Sequence, residues 1–244
     1  MKNESVPLRI LVVDDDALSR EVLALLLEHA GYVVSTADSG DAAVHQLSST
    51  LGSMPHVVLA DIQMPGTTGS ALADALRRFR RRFLLLAMSG SRPSDDMIRG
   101  FDGLLLKPFS MEELAAAIAT AGNPKEAEGA IAGSSTPLNE RIYAKLVASM
   151  RLERLQELYA LCLTDAEARI TRMQQLASNH EDALFRKEAH AIKGSAGMVG
   201  AAELQTLAGE LEESGLRANH IASLEELMVA CGRLRRILMA RNSM

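Results

Sequence analysis

Between Leu8 and Gly122, five short apolar runs alternate with longer amphipathic stretches, and this alternation limits the fold more than any other feature of the chain. The runs LRILVV (8–13), YVVSTA (32–37), HVVLA (56–60), FLLLAM (83–88) and GLLL (103–106) read as strands. Several are almost continuously apolar, as expected of parallel strands covered on both faces. Helical spacing fills the gaps at Ala17 to Ala30, Gly40 to Ser49, Gly69 to Phe79, a short stretch near Ser94 to Gly100, and Ser110 to Ala121. Five strands alternating with helices predict a doubly wound, five-stranded parallel α/β sheet, with any ligand outside the carboxyl ends of the strands.

The pattern then breaks. NPKEAEGAIAGSSTP, 123–137, is rich in Gly, Ser, Pro and Ala without a periodic apolar face, and reads as a flexible linker between a domain at 8–122 and one at 138–242. Beyond it the apolar spacing is helical, from Ile142, Leu146 and Val147 through Leu155, Leu158, Leu161 and Leu163 to Leu234, Ile237 and Leu238. That half is expected to be all-α, an antiparallel four-helix bundle.

Composition narrows the function classes. The 244 residues carry a formal net charge of -5 and few aromatics, which argues against nucleic acid as a partner. The local exception is RRFRRR, 77–82, read as a solvated helix end whose cations suit the helix dipole rather than as a phosphate patch. The N-terminal apolar run, Leu8 to Val13, is too short to span or enter a membrane, so no membrane partner and a cytoplasmic location are expected. Cys162 and Cys231 are widely spaced and read as two ordinary thiols.

Acidic residues gather at the predicted strand ends: Asp14, Asp15 and Asp16 after the first strand and Asp61 after the third. In this topology those ends are neighbours, and convergent carboxylates without a neutralising side chain suit a hard cation such as Mg²⁺. Asp16 alone is better read as a helix cap. The fourth strand ends in Met88-Ser89-Gly90 and the fifth in Lys107-Pro108-Phe109. A carboxylate nucleophile, a divalent cation, a hydroxyl and an ammonium together make a phosphoryl-transfer site, with Asp61 attacking.

VVDDD, DIQMPGTTG, AMSG and LLLKPF, in this order and spacing, resemble the response-regulator receiver domain, a flavodoxin-like fold, over residues 8 to 122. The resemblance implies that Asp61 is phosphorylated, that Asp14 and Asp15 hold Mg²⁺ with Asp61 and the Gln63 backbone carbonyl, and that Ser89 and Lys107 contact the phosphoryl group. Two departures stand out: Leu104 occupies a position that is often aromatic, and the segment between Ser89 and Lys107 is short.

In the second half, HAIKGSAGMVG, 190–200, places three glycines in a helical stretch, each costing about 1 kcal/mol against Ala. At 100° per residue His190, Lys193, Gly194 and Gly197 share one face, with Ala183 and Arg186 on the same side, while Phe185, Ile192, Ala196 and Val199 lie opposite. The histidine is therefore predicted to be exposed on a face stripped of bulk and edged with positive charge. Spacing alone also allows an ordinary surface histidine. EAHAIKGSAGMVGAAEL with the downstream LAGELEE resembles the histidine phosphotransfer (HPt) domain over 138 to about 240. That resemblance implies that His190 carries a phosphoryl group, Lys193 supports it and Gly194 leaves room for a receiver. Gly200 is expected to serve the helix end.

The two resemblances together imply a two-component phosphorelay protein, a stoichiometric phosphocarrier rather than an ATP-dependent kinase, since nothing in the chain resembles an ATP-binding kinase domain. The implied partners are a sensor or hybrid histidine kinase and other receiver domains. A linker of ~15 residues has a coil span of about 20 to 23 Å, so docking of the receiver on its own basic His190 face is a further expectation. The alternatives are a phosphorylation-controlled binding switch, in which the receiver gates the bundle without transfer through His190, and, more remotely, a Mg²⁺-dependent phosphatase acting through Asp61.

Overall fold

In the computed structural model the described residues are 7–49, 54–79, 83–90, 92–120, 137–217 and 219–242. The chain divides into two compact units, Met1–Ala130 and Ile131–Met244. Except for Pro137, the expected linker lies outside the described residues, as do Arg80 to Arg82 of the arginine run.

The first unit runs β1 (Arg9–Val13), α1 (Ala17–His29), β2 (Val33–Ala37), α2 (Gly40–Ser49), β3 (Val57–Asp61), α3 (Gly69–Arg77), β4 (Leu84–Ser89), β5 (Gly103–Leu106) and α4 (Met111–Ala119). The five strands form one parallel sheet in the order β2-β1-β3-β4-β5. β3 is buried along its whole length and β1 nearly so, matching their unbroken apolar sequence, while the edge strand β2 is largely exposed. Leu11, Val58 and Leu85 on one sheet face pack with Leu47 of α2 and Leu72 and Leu76 of α3. The chain leaves β1 toward β2 on one side and returns as β3 on the other, which opens a crevice at the carboxyl ends of β1 and β3.

One predicted element is absent. The stretch near Ser94 to Gly100 forms only isolated turns, from the Met97 amide to the Ser94 carbonyl and from the Phe101 amide to the Ile98 carbonyl. Tertiary contact takes the place of helical hydrogen bonds. Arg77 donates to the Gly100 carbonyl from Nε at 3.2 Å and Nη2 at 3.1 Å, and pairs with Asp102 at 2.7 Å. The segment lies so close to α3 that a Cβ on Gly69 would meet the Met97 carbonyl oxygen at 3.2 Å.

The second unit contains α5 (Glu140–Ser149), α6 (Leu152–Ser178), α7 (Asp182–Met198), α8 (Ala202–Ser214) and α9 (His220–Asn242). α6 to α9 form a four-helix bundle in which each helix packs on its sequence neighbour and α9 closes back on α6. Connections of three to five residues make neighbouring helices antiparallel. The short α5 lies against α6, capped by Asn139, whose side chain accepts from the Arg141 and Ile142 amides. Phe185, Ile192, Leu204, Leu227 and Leu234 fill the core, while Val147 and Leu161 of the predicted apolar pattern are exposed.

Candidate functional sites

Four elements of the first unit deliver side chains to one place. Asp14 directly follows β1, Asp61 ends β3, Ser89 ends β4 and Lys107 directly follows β5. Local structure aims two of them. Asp16 caps α1 by accepting from the Ser19 amide at 2.8 Å, so the turn that begins at Asp14 is held at the start of a helix. After Lys107, a capping box between Ser110 and Glu113 starts α4 and holds the short Lys107 to Phe109 connection.

All four side chains are buried: Asp14 is 1% exposed, Asp61 4%, Ser89 1% and Lys107 8%. Lys107 Nζ donates to Asp14 Oδ2 at 2.7 Å and to Asp61 Oδ2 at 2.6 Å. The remaining oxygens accept from backbone, Asp14 Oδ1 from the Asp16 amide at 2.9 Å and Asp61 Oδ1 from the Gln63 amide at 2.7 Å. Burial pushes the Asp14 carboxyl up; Lys107 pulls it down and Asp61 pushes it up again, leaving it above the ordinary aspartate value. Burial also works against the Lys107 charge, but the two carboxylates outweigh it and hold the ammonium above its ordinary value.

This corrects the sequence expectation. The carboxylates do not converge unneutralised, because Lys107 lies between Asp14 and Asp61. Asp15 is only half-buried, and no three His, Cys, Asp or Glu side chains among the described residues gather as a ready metal cradle. The donor chemistry nevertheless fits Mg²⁺. Asp14, Asp15, Asp61 and the Gln63 carbonyl offer hard oxygen ligands only, and Asp14 remains above its ordinary value even with an ammonium bonded to it.

In the second unit, His190 lies on α7, not fully exposed as predicted but 24% exposed, because α8 packs across its face. Nδ1 of His190 lies 2.7 Å from Glu212 Oε1, and Lys193 Nζ donates to Glu212 Oε2 at 3.0 Å. Burial pushes the Glu212 carboxyl up, but hydrogen bonds and charge from His190 and Lys193 outweigh it and leave it below the ordinary glutamate value. An ionised carboxylate only accepts hydrogen bonds, so Nδ1 carries the proton, and in the neutral ring Nε2 presents its lone pair. Sequence reading missed Glu212, since no helical period links residues 22 positions apart on two helices.

The glycines fit this packing. Gly197 is buried and Gly194 half-buried on the same helix, and Gly209 of α8 lies under the Lys193 stem, where a Cβ would sit 3.7 Å from Cδ and Cε. The face is not simply basic, as expected for docking of the receiver: Lys193 is paired with Glu212, and Arg186 with Asp182 at 2.7 Å. Gly200, with φ +73°, follows the helix end as predicted.

The sequence pattern of the response regulator receiver domain matches residues 10–119, and that of the Hpt domain matches 157–240. The chain contains a receiver domain followed by an Hpt domain. Relatives of the receiver include the phosphate regulon transcriptional regulatory protein PhoB of Escherichia coli (strain K12), 34% identical over 116 residues, 45% of this chain and 49% of that protein. The transcriptional regulatory protein ResD of Bacillus subtilis is 30% identical over 110 residues, 43% of this chain and 44% of that protein. The chain thus spans about half the length of the curated relatives it matches. Among solved structures, the response regulator protein TrrA of Thermotoga maritima, in complex with Mg²⁺-BeF, is 29% identical, with 47% of this chain and 98% of that chain covered and a TM-score of 0.42. A CheY-like receiver domain of Methylobacillus flagellatus is 26% identical, with 48% and 99% covered and a TM-score of 0.43. Receiver and Hpt domains are modules of two-component signalling, and no helix among the described residues is long and apolar enough to cross a membrane.

Proposed function

We propose that the chain is a stoichiometric phosphorelay carrier: the receiver accepts a phosphoryl group on Asp61 from a phosphohistidine, and the Hpt domain carries one on His190 and exchanges it with a receiver. The observation that carries this reading is the bridge of Lys107 between buried Asp14 and Asp61 at adjoining strand ends. It seats the nucleophile beside a cation that can follow the transferred charge.

In the first transfer an Asp61 carboxylate oxygen attacks the phosphorus of a donor phosphohistidine. The O–P bond forms as the N–P bond breaks, and that electron pair returns to the donor imidazole. Lys107 gives up Asp61 and turns its ammonium to a phosphoryl oxygen, and the Ser89 hydroxyl donates to another. Asp14, Asp15, Asp61 and the Gln63 carbonyl would hold Mg²⁺, which would offset the charge of the phosphoryl oxygens.

In the second, Nε2 of His190 attacks the phosphorus of an aspartyl phosphate on a receiver, and the aspartate carboxylate leaves. The imidazole becomes positively charged as the N–P bond forms. Glu212, accepting from Nδ1, stabilises that charge, Lys193 supports the phosphoryl oxygens, and Gly194 leaves the incoming receiver room. The partners are a sensor or hybrid histidine kinase and other receivers, and the cytoplasm, where ATP charges such kinases, is the compartment.

The test is to incubate the full chain with a phosphohistidine donor and map the label. A base-labile label on Asp61, absent from Asp61→Asn, and an acid-labile label on His190, absent from His190→Gln, support the proposal. Label elsewhere, or unchanged in both variants, rejects it.

A further inference from the structure

Arg186 lies one turn before His190 on α7 and reaches across to the end of α8. Its Nη1 donates to the carbonyls of Glu212 and Glu213, both at 2.7 Å, and its Nη2 to that of Ser214 at 3.2 Å. Nε donates to Asp182 Oδ2 at 2.7 Å. The last carbonyls of a helix have no partner within it, and a guanidinium fork suits them in both geometry and charge.

The same assembly holds the chain as it leaves α8. Asp182 Oδ1 accepts from the Leu216 amide at 2.7 Å. Gly215 has φ +60°, and a Cβ there would fall 2.2 Å from Asp182 Oδ1 and 2.3 Å from Arg186 Nη2. The clamp therefore fills space that only glycine leaves open.

Glu212 is thus held twice, by its carbonyl on Arg186 and by its carboxylate on His190 and Lys193. We infer that Arg186 is a positioning residue for phosphoryl transfer at His190: with Asp182 it locks the last turn of α8, so that Glu212 stays on Nδ1 and Nε2 remains the nucleophile. The inference rests on His190 being the phosphoryl carrier. Lysine at position 186 keeps the charge but not the fork, and glutamine keeps neither.

The experiment uses the full chain with ¹⁵N-labelled histidine, the His190 signals being those lost in His190→Gln. In the wild type, Nδ1 is the protonated nitrogen. In Arg186→Gln the ring shifts toward the Nε2-protonated form that a free histidine side chain favours, and label transfer from a phosphorylated receiver slows about tenfold. Arg186→Lys behaves in the same direction and keeps the readout available should the glutamine variant not fold. Combining Arg186→Gln with Glu212→Gln adds little to either alone, because they act through one contact. If Arg186 variants slow transfer without changing the tautomer, or leave both unchanged, the positioning role is overturned. Label transfer that persists in His190→Gln overturns the carrier reading instead, and the tautomer comparison is read independently of it.

Discussion

Lys107 donates to Asp61 at 2.6 Å across 46 residues of chain, in a pocket where both side chains are almost fully buried. Replacing it with methionine leaves Asp14 and Asp61 facing each other without a cation. Breaking a buried pair in this way costs about 3 to 5 kcal/mol. Lys107→Met is therefore expected to destabilise the receiver by about 3 kcal/mol, read as faster hydrogen exchange at the β1 and β3 amides with the α6 to α9 amides unchanged. Unaltered exchange in β1 and β3 contradicts the pairing.

The Glu212 contacts make Hpt stability depend on acid. Its folded-state carboxyl sits below the ordinary value, so its stabilising contribution is complete above the unfolded value of 4.5 and is lost as pH falls through the folded value. Glu212→Gln lacks this contribution at every pH. The gap in urea midpoint between wild type and variant is expected to be open at about pH 7 and to narrow at about pH 3. A gap of constant size means that the ionised carboxylate is not what holds α8 to His190.

Gly200 ends α7 in a left-handed conformation, and a Cβ there would meet Ile142 Cβ at 2.8 Å. Its carbonyl also accepts from the Asn139 amide at 2.7 Å, joining α5 to the bundle. Gly200→Ala is expected to lower stability by about 2 kcal/mol through backbone strain and this contact, measured by urea unfolding. A neutral result contradicts the close approach.

Cys162 and Cys231 are buried in the bundle core, and burial pushes both thiols up to about 12. At about pH 8 almost no thiolate forms, so both are expected to react with a disulfide reagent far more slowly in the native chain than in denaturant. Rapid native labelling of either means that the α6 and α9 interface opens readily.

The receiver half was open to sequence reading because its signal is local. Unbroken apolar strands imply a parallel sheet, and parallel topology alone brings Asp14, Asp61, Ser89 and Lys107 to one edge. What the side chains do there was not open to it: spacing places Lys107 at the correct strand end, but its reach onto both carboxylates depends on how the capped start of α4 turns the chain. The stretch from Ser94 to Gly100 departs from its expected helix because Arg77 and close packing on α3, which no local spacing reveals, hold it instead. In the bundle the 3.6-residue period correctly grouped Arg186, His190 and Lys193. The register of α7 against α8, which brings Glu212 to His190, is set by packing between helices and leaves no trace in either period.

His190 is proposed to receive a phosphoryl group from a receiver. The direct measurement is a pulse of radiolabelled phosphoreceiver mixed with the full chain, comparing wild type, Asp61→Asn and His190→Gln. Acid-labile label is expected on wild type and on Asp61→Asn, and none on His190→Gln. Equal labelling of His190→Gln and wild type would contradict transfer to His190.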